Sequence, residues 1–193
     1  MGIFLTSDTH FGHDKIMVYT SRGDRWANPD EMQDGLIYNW NSVVRPGDHV
    51  YHLGDFAWSR GWAEDAFRRL NGHIHLIRGN HDEPAFIKNL AFASVHDIHI
   101  LHYNHKRIVL CHYPLLTWPN AHKGFLHAHG HSHGNSPIRG GCMDVGIDAT
   151  ADLRPIPIDT VIEICESVPY EPVDHHDQNR RDDRRDNPKI RRS

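Results

Sequence analysis

Five times in this chain a short apolar run stops on a residue able to hold a metal ion. Residues 2–7 (GIFLTS) run into Asp8-Thr9-His10, residues 49–53 into Gly54-Asp55, and residues 73–78 into Gly79-Asn80-His81-Asp82. Later, residues 107–112 end on His112, and residues 126–130 end on His131-Ser132-His133. Short apolar runs bounded by glycine and polar residues read as buried strands. Ligand-bearing loops of α/β sheets gather where strands reach their carboxyl ends. The five loops are therefore expected to converge in space.

The segments between these runs set the rest of the architecture. Asn28-Pro29-Asp30-Glu31 is a helix start, and Met32, Leu36, Trp40 and Val43 recur near helical spacing, which predicts a helix to about residue 44. Further helices are expected over 62–70 and 84–90, while residues 8–25 read as a polar loop. Residues 95–103 and 107–112 form an expected hairpin across Asn104-His105. A last hairpin is expected around 143–158, followed by a helix capped by Asp159. Strands alternate with helices in the first half and dominate the second, which predicts an α/β sandwich of two packed sheets covered by helices. A length of 193 residues suits one sizeable core. One domain is expected over 1–168. Residues 169–193, dense in Arg and Asp without apolar periodicity, are expected to be a disordered mixed-charge tail.

Composition narrows the chemistry. There are 19 histidines against 3 cysteines, and Cys111, Cys142 and Cys165 show no CxxC spacing. An odd count without that spacing argues for reduced thiols and a cytoplasmic setting. A net charge of -4 gives no global pull toward nucleic acid or membrane. No apolar run approaches the length of a bilayer span, and the opening residues read as a strand rather than a signal peptide. Carboxylate and amide oxygens mixed with imidazole nitrogens suit a pair of divalent cations, with one carboxylate able to bridge. Such a pair, roughly 3.5–4 Å apart, polarises a phosphoryl oxygen and generates hydroxide near neutral pH. The glycines at 54, 79 and 130 would let the backbone turn sharply or approach the ions.

Taken in order, SDTH, GD, GNHD, CH and GHSH resemble the calcineurin-like metallophosphoesterase superfamily, from Ile3 to about His133. The opening SDTHFGH and the small size most resemble the stand-alone phosphoesterases of bacteria and phages that lack a cap domain. The resemblance implies a four-layer α/β/β/α sandwich of two mixed sheets flanked by helices. It implies that Asp8, His10 and His133 hold one metal, that Asn80, His112 and His131 hold a second, and that Asp55 bridges them. His81 would touch the phosphate and protonate the leaving oxygen, and Asp82 would orient His81 or support its turn. The implied activity is hydrolysis of phosphate esters, diesters favoured over monoesters, by in-line attack of a metal-bridging hydroxide. Manganese is the expected metal, with Fe²⁺, Zn²⁺, Ni²⁺ and Co²⁺ also suited to these donors. One departure stands out. The superfamily's protein phosphatases carry GDxxDRG, whereas this chain has GDFAWSRG with Trp58 in the place of the second Asp. That argues against phosphoprotein substrates.

Three more residues are candidates for gripping phosphate: His13, placed at the mouth by Phe11-Gly12, and Arg22 and Arg60, whose guanidinium groups can clamp an anion in bidentate fashion. Arg78 is read as a structural ion pair. His127 and His129 alternate as strand residues do and are read as structural, as are His49, His52, His73, His75, His96, His99 and His102. Cys111 reads as a small buried hydrophobe. The expected partner is a phosphate-ester substrate, nucleotides among the candidates, and no membrane. A nuclease using the same centre, with the Arg-rich tail on a nucleic-acid backbone, is the first alternative. A non-catalytic metal-binding scaffold is the second, although every ligand and His81 are kept. No feature of the sequence fixes an oligomeric state.

Overall fold

In the computed structural model, which describes residues 1–137 and 139–173, the apolar runs become strands of two sheets. The elements in chain order are β1 (Ile3–Thr6), α1 (Ile16–Tyr19), α2 (Pro29–Val43), β2 (His49–His52), α3 (Arg60–Arg69), β3 (His73–Ile77), α4 (Pro84–Ile87), β4 (Ser94–His96), β5 (Ile98–Tyr103), β6 (Lys106–Cys111), β7 (Leu126–His129), β8 (Cys142–Asp144), β9 (Ile156–Pro157) and α5 (Ile158–Ser167). The first sheet has the order β4-β3-β2-β1-β9, parallel except for β9, and the second has the order β5-β6-β7-β8. In the second sheet β5 runs antiparallel to β6, and β6, β7 and β8 are parallel. The result is a mixed α/β fold with two mixed sheets flanked by helices.

Strand alternation distributes the apolar side chains between two cores. Val50, Ile74 and Leu76 join Met32, Leu36 and Trp40 of α2 and Ala63 and Ala66 of α3 in one cluster. Leu5, Ile77, Ile108, Leu110 and Ala128 meet between the sheets and pack with Ile158, Val161 and Ile162 of α5. α2 begins where expected because the Asn28 carboxamide oxygen accepts the Glu31 N–H (2.9 Å) while Glu31 accepts the Ala27 N–H (3.0 Å).

Four local expectations change. The single strand expected over 95–103 breaks at Asp97, whose carboxylate takes the Arg78 guanidinium at 2.9 and 2.8 Å, and the chain passes there from one sheet to the other. The expected hairpin at 143–158 does not form: β8 lies in the second sheet and β9 in the first. A 3-10 turn at Ile147–Ala149 and the left-handed Leu153 (φ 51°) carry the chain across instead. Asp159 does not cap α5; it sits inside the first turn and its carboxylate accepts the Tyr103 hydroxyl at 3.2 Å. The expected polar loop contains α1 and a 3-10 turn at Ser21–Asp24, because Ile16 and Met17 bury against the first core, too few residues to show a period in sequence.

Packing also continues past residue 168. Tyr170 lies 5.2 Å from the Trp118 ring and against the cluster of Val109, Trp118 and Ala121 on the outer side of β6. The expected tail beyond residue 173 lies outside the described residues. Among the described residues no helix is long and apolar enough to cross a membrane.

Candidate metal centre

Parallel strands β1, β2, β3, β6 and β7 deliver their following loops to one edge of the molecule, and the backbone there is unusual. Asp8 (φ 59°), His10 (48°), Asp55 (58°), His131 (66°) and His133 (47°) all adopt the left-handed region. Each such non-glycine residue costs on the order of 1–3 kcal/mol and persists where surrounding structure over-determines it. Gly54 (φ 98°) carries no such cost, and a Cβ there would lie 2.7 Å from His112 Nδ1.

These bends bring the expected ligands together. Asp8, His10 and His133 each place one ligand atom within 4.8 Å of the others, and Asp55, His112 and His131 do the same. Asn80 Oδ1 lies 3.0 Å from His112 Nε2 and so joins the second group. Asp55 stands between the groups. Its Oδ1 accepts the His81 N–H at 2.9 Å, while Oδ2 lies 3.5 Å from His10 Nε2 and 3.6 Å from His112 Nε2.

The donors fit a cation. Both ring nitrogens of His10 are buried without a hydrogen-bond partner. Leaving such atoms unmet costs about 1–3 kcal/mol, which coordination at Nε2 would offset. Burial lowers the imidazole pKa of His10, His112 and His131, so the rings stay neutral with a lone pair to give. Burial raises that of the Asp8 carboxyl, with the Asp55 charge adding to it, and a nearby cation would reverse this. At His133 burial pulls downward, but the Asp148 hydrogen bond and the charges of Asp8 and Asp148 win, and its pKa is raised.

Around the ligands sits a shell of orienting groups. His112 Nδ1 donates to the Leu53 carbonyl at 2.7 Å, and His133 Nδ1 lies 2.7 Å from Asp148 Oδ2, so in both rings Nε2 is left for a metal. His52 Nδ1 accepts the Gly54 N–H at 3.2 Å, which puts its proton on Nε2, 2.9 Å from Thr9 Oγ1. Thr9 passes the chain on to the Phe56 carbonyl at 2.7 Å, tying the β1 loop to the β2 loop.

The remaining expected site residues divide. His13 lies at the centre, its ring centroid 5.4 Å from that of His10. His81 lies beside both, 5.4 Å from His10 and 6.4 Å from His13. Asp82 is not a reacting group: it is buried, and its carboxylate accepts the backbone N–H groups of Gly79, Asp55 and Phe56 at 2.7, 2.8 and 2.9 Å. It supports the turn rather than orienting the His81 ring.

Arg22 does not clamp substrate. It is fully buried, donates to both Asp148 oxygens (2.8 and 2.6 Å), and takes the Thr9 and Asp8 carbonyls at 2.9 and 2.6 Å. The 3-10 turn that α1 leads into draws it inward. Arg60 is exposed on the first turn of α3 and pairs with Glu64 at 2.7 Å, away from the centre.

His127 and His129 are structural, as read. His127 Nδ1 donates to the Val109 carbonyl at 2.9 Å while Nε2 accepts the Leu115 N–H at 3.1 Å, and His129 Nδ1 pairs with the Gly130 carbonyl at 2.9 Å. Asp148, Thr9 and His52 went unread as part of the site. Thr9, inside the SDTH motif, was the one with a sequence signal, whereas Asp148 lies in a stretch with none.

A cavity of about 460 Å³ opens over the centre, lined by His10, His13, Tyr19, Trp58, His81 and His131 among others. A family model described as calcineurin-like phosphoesterase matches residues 1–185. An uncharacterized protein of Methanocaldococcus jannaschii is 34% identical over 175 residues, covering 85% of this chain and 91% of that protein. The gene 66 protein of Mycobacterium phage L5 is 34% identical over 89 residues, 42% of this chain and 40% of that one. Among solved structures, a protein of unknown function from Aquifex aeolicus superposes with a TM-score of 0.66 at 25% identity, covering 84% of this chain and 98% of that one.

Proposed function

The chain belongs to the calcineurin-like phosphoesterase family, and from that premise we propose that it hydrolyses phosphodiesters, in preference to monoesters, with two divalent metal ions held at the strand-end loops. One observation carries the reading. A single oxygen of Asp55 lies 3.5 Å from a nitrogen of one ligand group and 3.6 Å from a nitrogen of the other. A carboxylate in this position could serve both groups, and its charge would offset the repulsion of two cations held there.

Asp8, His10 and His133 would hold one ion, and Asn80, His112 and His131 the other. Manganese is the first metal to try. The ion pair, when bound, supplies Lewis acidity toward phosphoryl oxygens and water acidic enough to attack at neutral pH. The protein supplies the rest. His13 and His81 line the cavity where the ester would lie, and His81 would give a proton to the departing oxygen. Asp82 holds the Asp55 and Gly79 backbones so that the Asp55 carboxylate and His81 keep their relation. The nuclease alternative draws on the Arg-rich residues past 173, and nothing in the described residues adds to it.

The test is turnover of bis-p-nitrophenyl phosphate and p-nitrophenyl phosphate by metal-stripped enzyme, with Mn²⁺, Ni²⁺ and Zn²⁺ returned separately. Metal-dependent turnover with the diester preferred is expected. No turnover of either ester with both sites shown to be filled would overturn the reading.

A further inference from the structure

Trp58, which departs from the protein-phosphatase pattern, does not replace the missing Asp with another polar group. Its indole stacks flat on the His13 ring, with centroids 3.9 Å apart and planes 4° from parallel. It also lies 5.3 Å from His81. The backbone beneath it is pinned, because the Trp58 N–H donates to the Phe11 carbonyl at 3.0 Å beside the Phe11–Ala57 bridge. Yet 49% of Trp58 stays exposed, and the ring lines the cavity over the metal centre together with Tyr19, itself 73% exposed. His13 is buried beneath the indole, and its Nδ1 has no hydrogen-bond partner. An indole needed only to support His13 would be more stable covered than half open to water.

We propose that Trp58, backed by His13 and with Tyr19 lining the same cavity, is a stacking subsite for a nucleobase on the leaving side of the substrate. The inference rests on the phosphoesterase reading above and names its substrate class: a phosphodiester whose departing alcohol is a nucleoside. The side follows from His81. On that reading His81 would protonate the leaving oxygen, and its ring lies 5.3 Å from the shelf, so what rests on the shelf is the part that departs. In the reaction a water oxygen bonds to phosphorus and the bond from phosphorus to the nucleoside oxygen breaks. Its electron pair stays on that oxygen, which takes the His81 proton. The attacking water gives up a proton to solvent and His81 regains one from it, and the products are a phosphomonoester and a free nucleoside.

The test uses two diesters that differ only in the base: the methyl ester of thymidine 5′-phosphate and the methyl ester of 1,2-dideoxyribose 5-phosphate. Release of the sugar alcohol by the Mn²⁺-loaded enzyme is followed by chromatography. Base–aromatic stacking of ordinary strength predicts a kcat/KM about tenfold higher for the nucleoside ester. Trp58→Ala should bring the ratio close to one, and Trp58→Phe should keep most of it. Because the readout is a ratio of two substrates on one preparation, partial misfolding of a variant cancels. A ratio near one in the unaltered protein, or a ratio unchanged in Trp58→Ala, overturns the subsite. Turnover of bis-p-nitrophenyl phosphate but of neither methyl diester also overturns it and leaves the phosphoesterase reading standing. If none of the three esters is cleaved with both metals bound, it is that reading which fails, and the subsite falls with it.

Discussion

Replacing Asp148 with Asn should separate the two candidate metal-ligand groups energetically. The Asp148 side chain is 5% exposed and serves three donors: Arg22 Nε at 2.8 Å, Arg22 Nη2 at 2.6 Å and His133 Nδ1 at 2.7 Å. The carboxamide keeps the size, but one of its two heavy atoms becomes a donor. Either Arg22 or His133 then faces an N–H where it had an acceptor, and the buried guanidinium loses its counter-charge. Breaking a buried ion pair by altering one partner costs about 3–5 kcal/mol. Removing an orienting partner of a ligating histidine costs about 10–100-fold in metal affinity. We therefore expect Asp148→Asn to lose about 3–5 kcal/mol in urea unfolding of the chelated protein, a large share of an ordinary domain's stability. In a Mn²⁺ titration, the group of Asp8, His10 and His133 should weaken about 10–100-fold, and the group of Asp55, His112 and His131 far less. The double change Arg22→Met with Asp148→Leu should destabilise less than either single change, since it removes both charges at once. A loss below about 1 kcal/mol, with two equivalent Mn²⁺ sites retained, would refute the claim that Asp148 anchors His133 and Arg22.

Three further outcomes are expected. His127 is fully buried, and burial pushes its folded pKa down to about 4 from 6.5, so the unfolded chain binds more protons between those values. The contribution of neutral His127, roughly 3 kcal/mol, is thus complete above pH 6.5 and lost as pH falls toward 4. His127→Gln can keep both hydrogen bonds without titrating, so urea midpoints of the chelated proteins should move in the variant's favour between pH 7 and 4.5; parallel pH profiles would contradict this. His81→Ala should still take up metal but slow the hydrolysis of esters with poor leaving groups by about 10²–10⁴-fold, and less for p-nitrophenyl esters. Equal losses on both would count against the proton-donor role. Asp55→Asn should lower the Mn²⁺ content measured after gel filtration, and an unchanged stoichiometry would argue that Asp55 does not bridge.

The chain's own order of residues determined a good deal. Apolar runs broken by Asp, Asn and His announced β1, β2, β3, β6 and β7 together with the seven residues that gather at their ends, because strand period and ligand type are local properties. The run Asn28-Pro29-Asp30-Glu31 announced the start of α2 for the same reason. What needed the tertiary structure was everything that depends on burial or on which sheet a strand joins. Residues 95–103 read as one strand until Asp97 turned the chain from the first sheet to the second, and β8 and β9 read as a hairpin until each paired elsewhere. Arg22 looked like a surface clamp for phosphate, yet its partner Asp148 lies 126 residues away, and no local pattern couples the two. Trp58 was visible only as a mismatch to a motif until its ring was found lying on His13. Periodicity reports what a residue does within its own element. Charge pairing and stacking across loops are set by the folded chain's dielectric and geometry, which exist only once the sheets have closed.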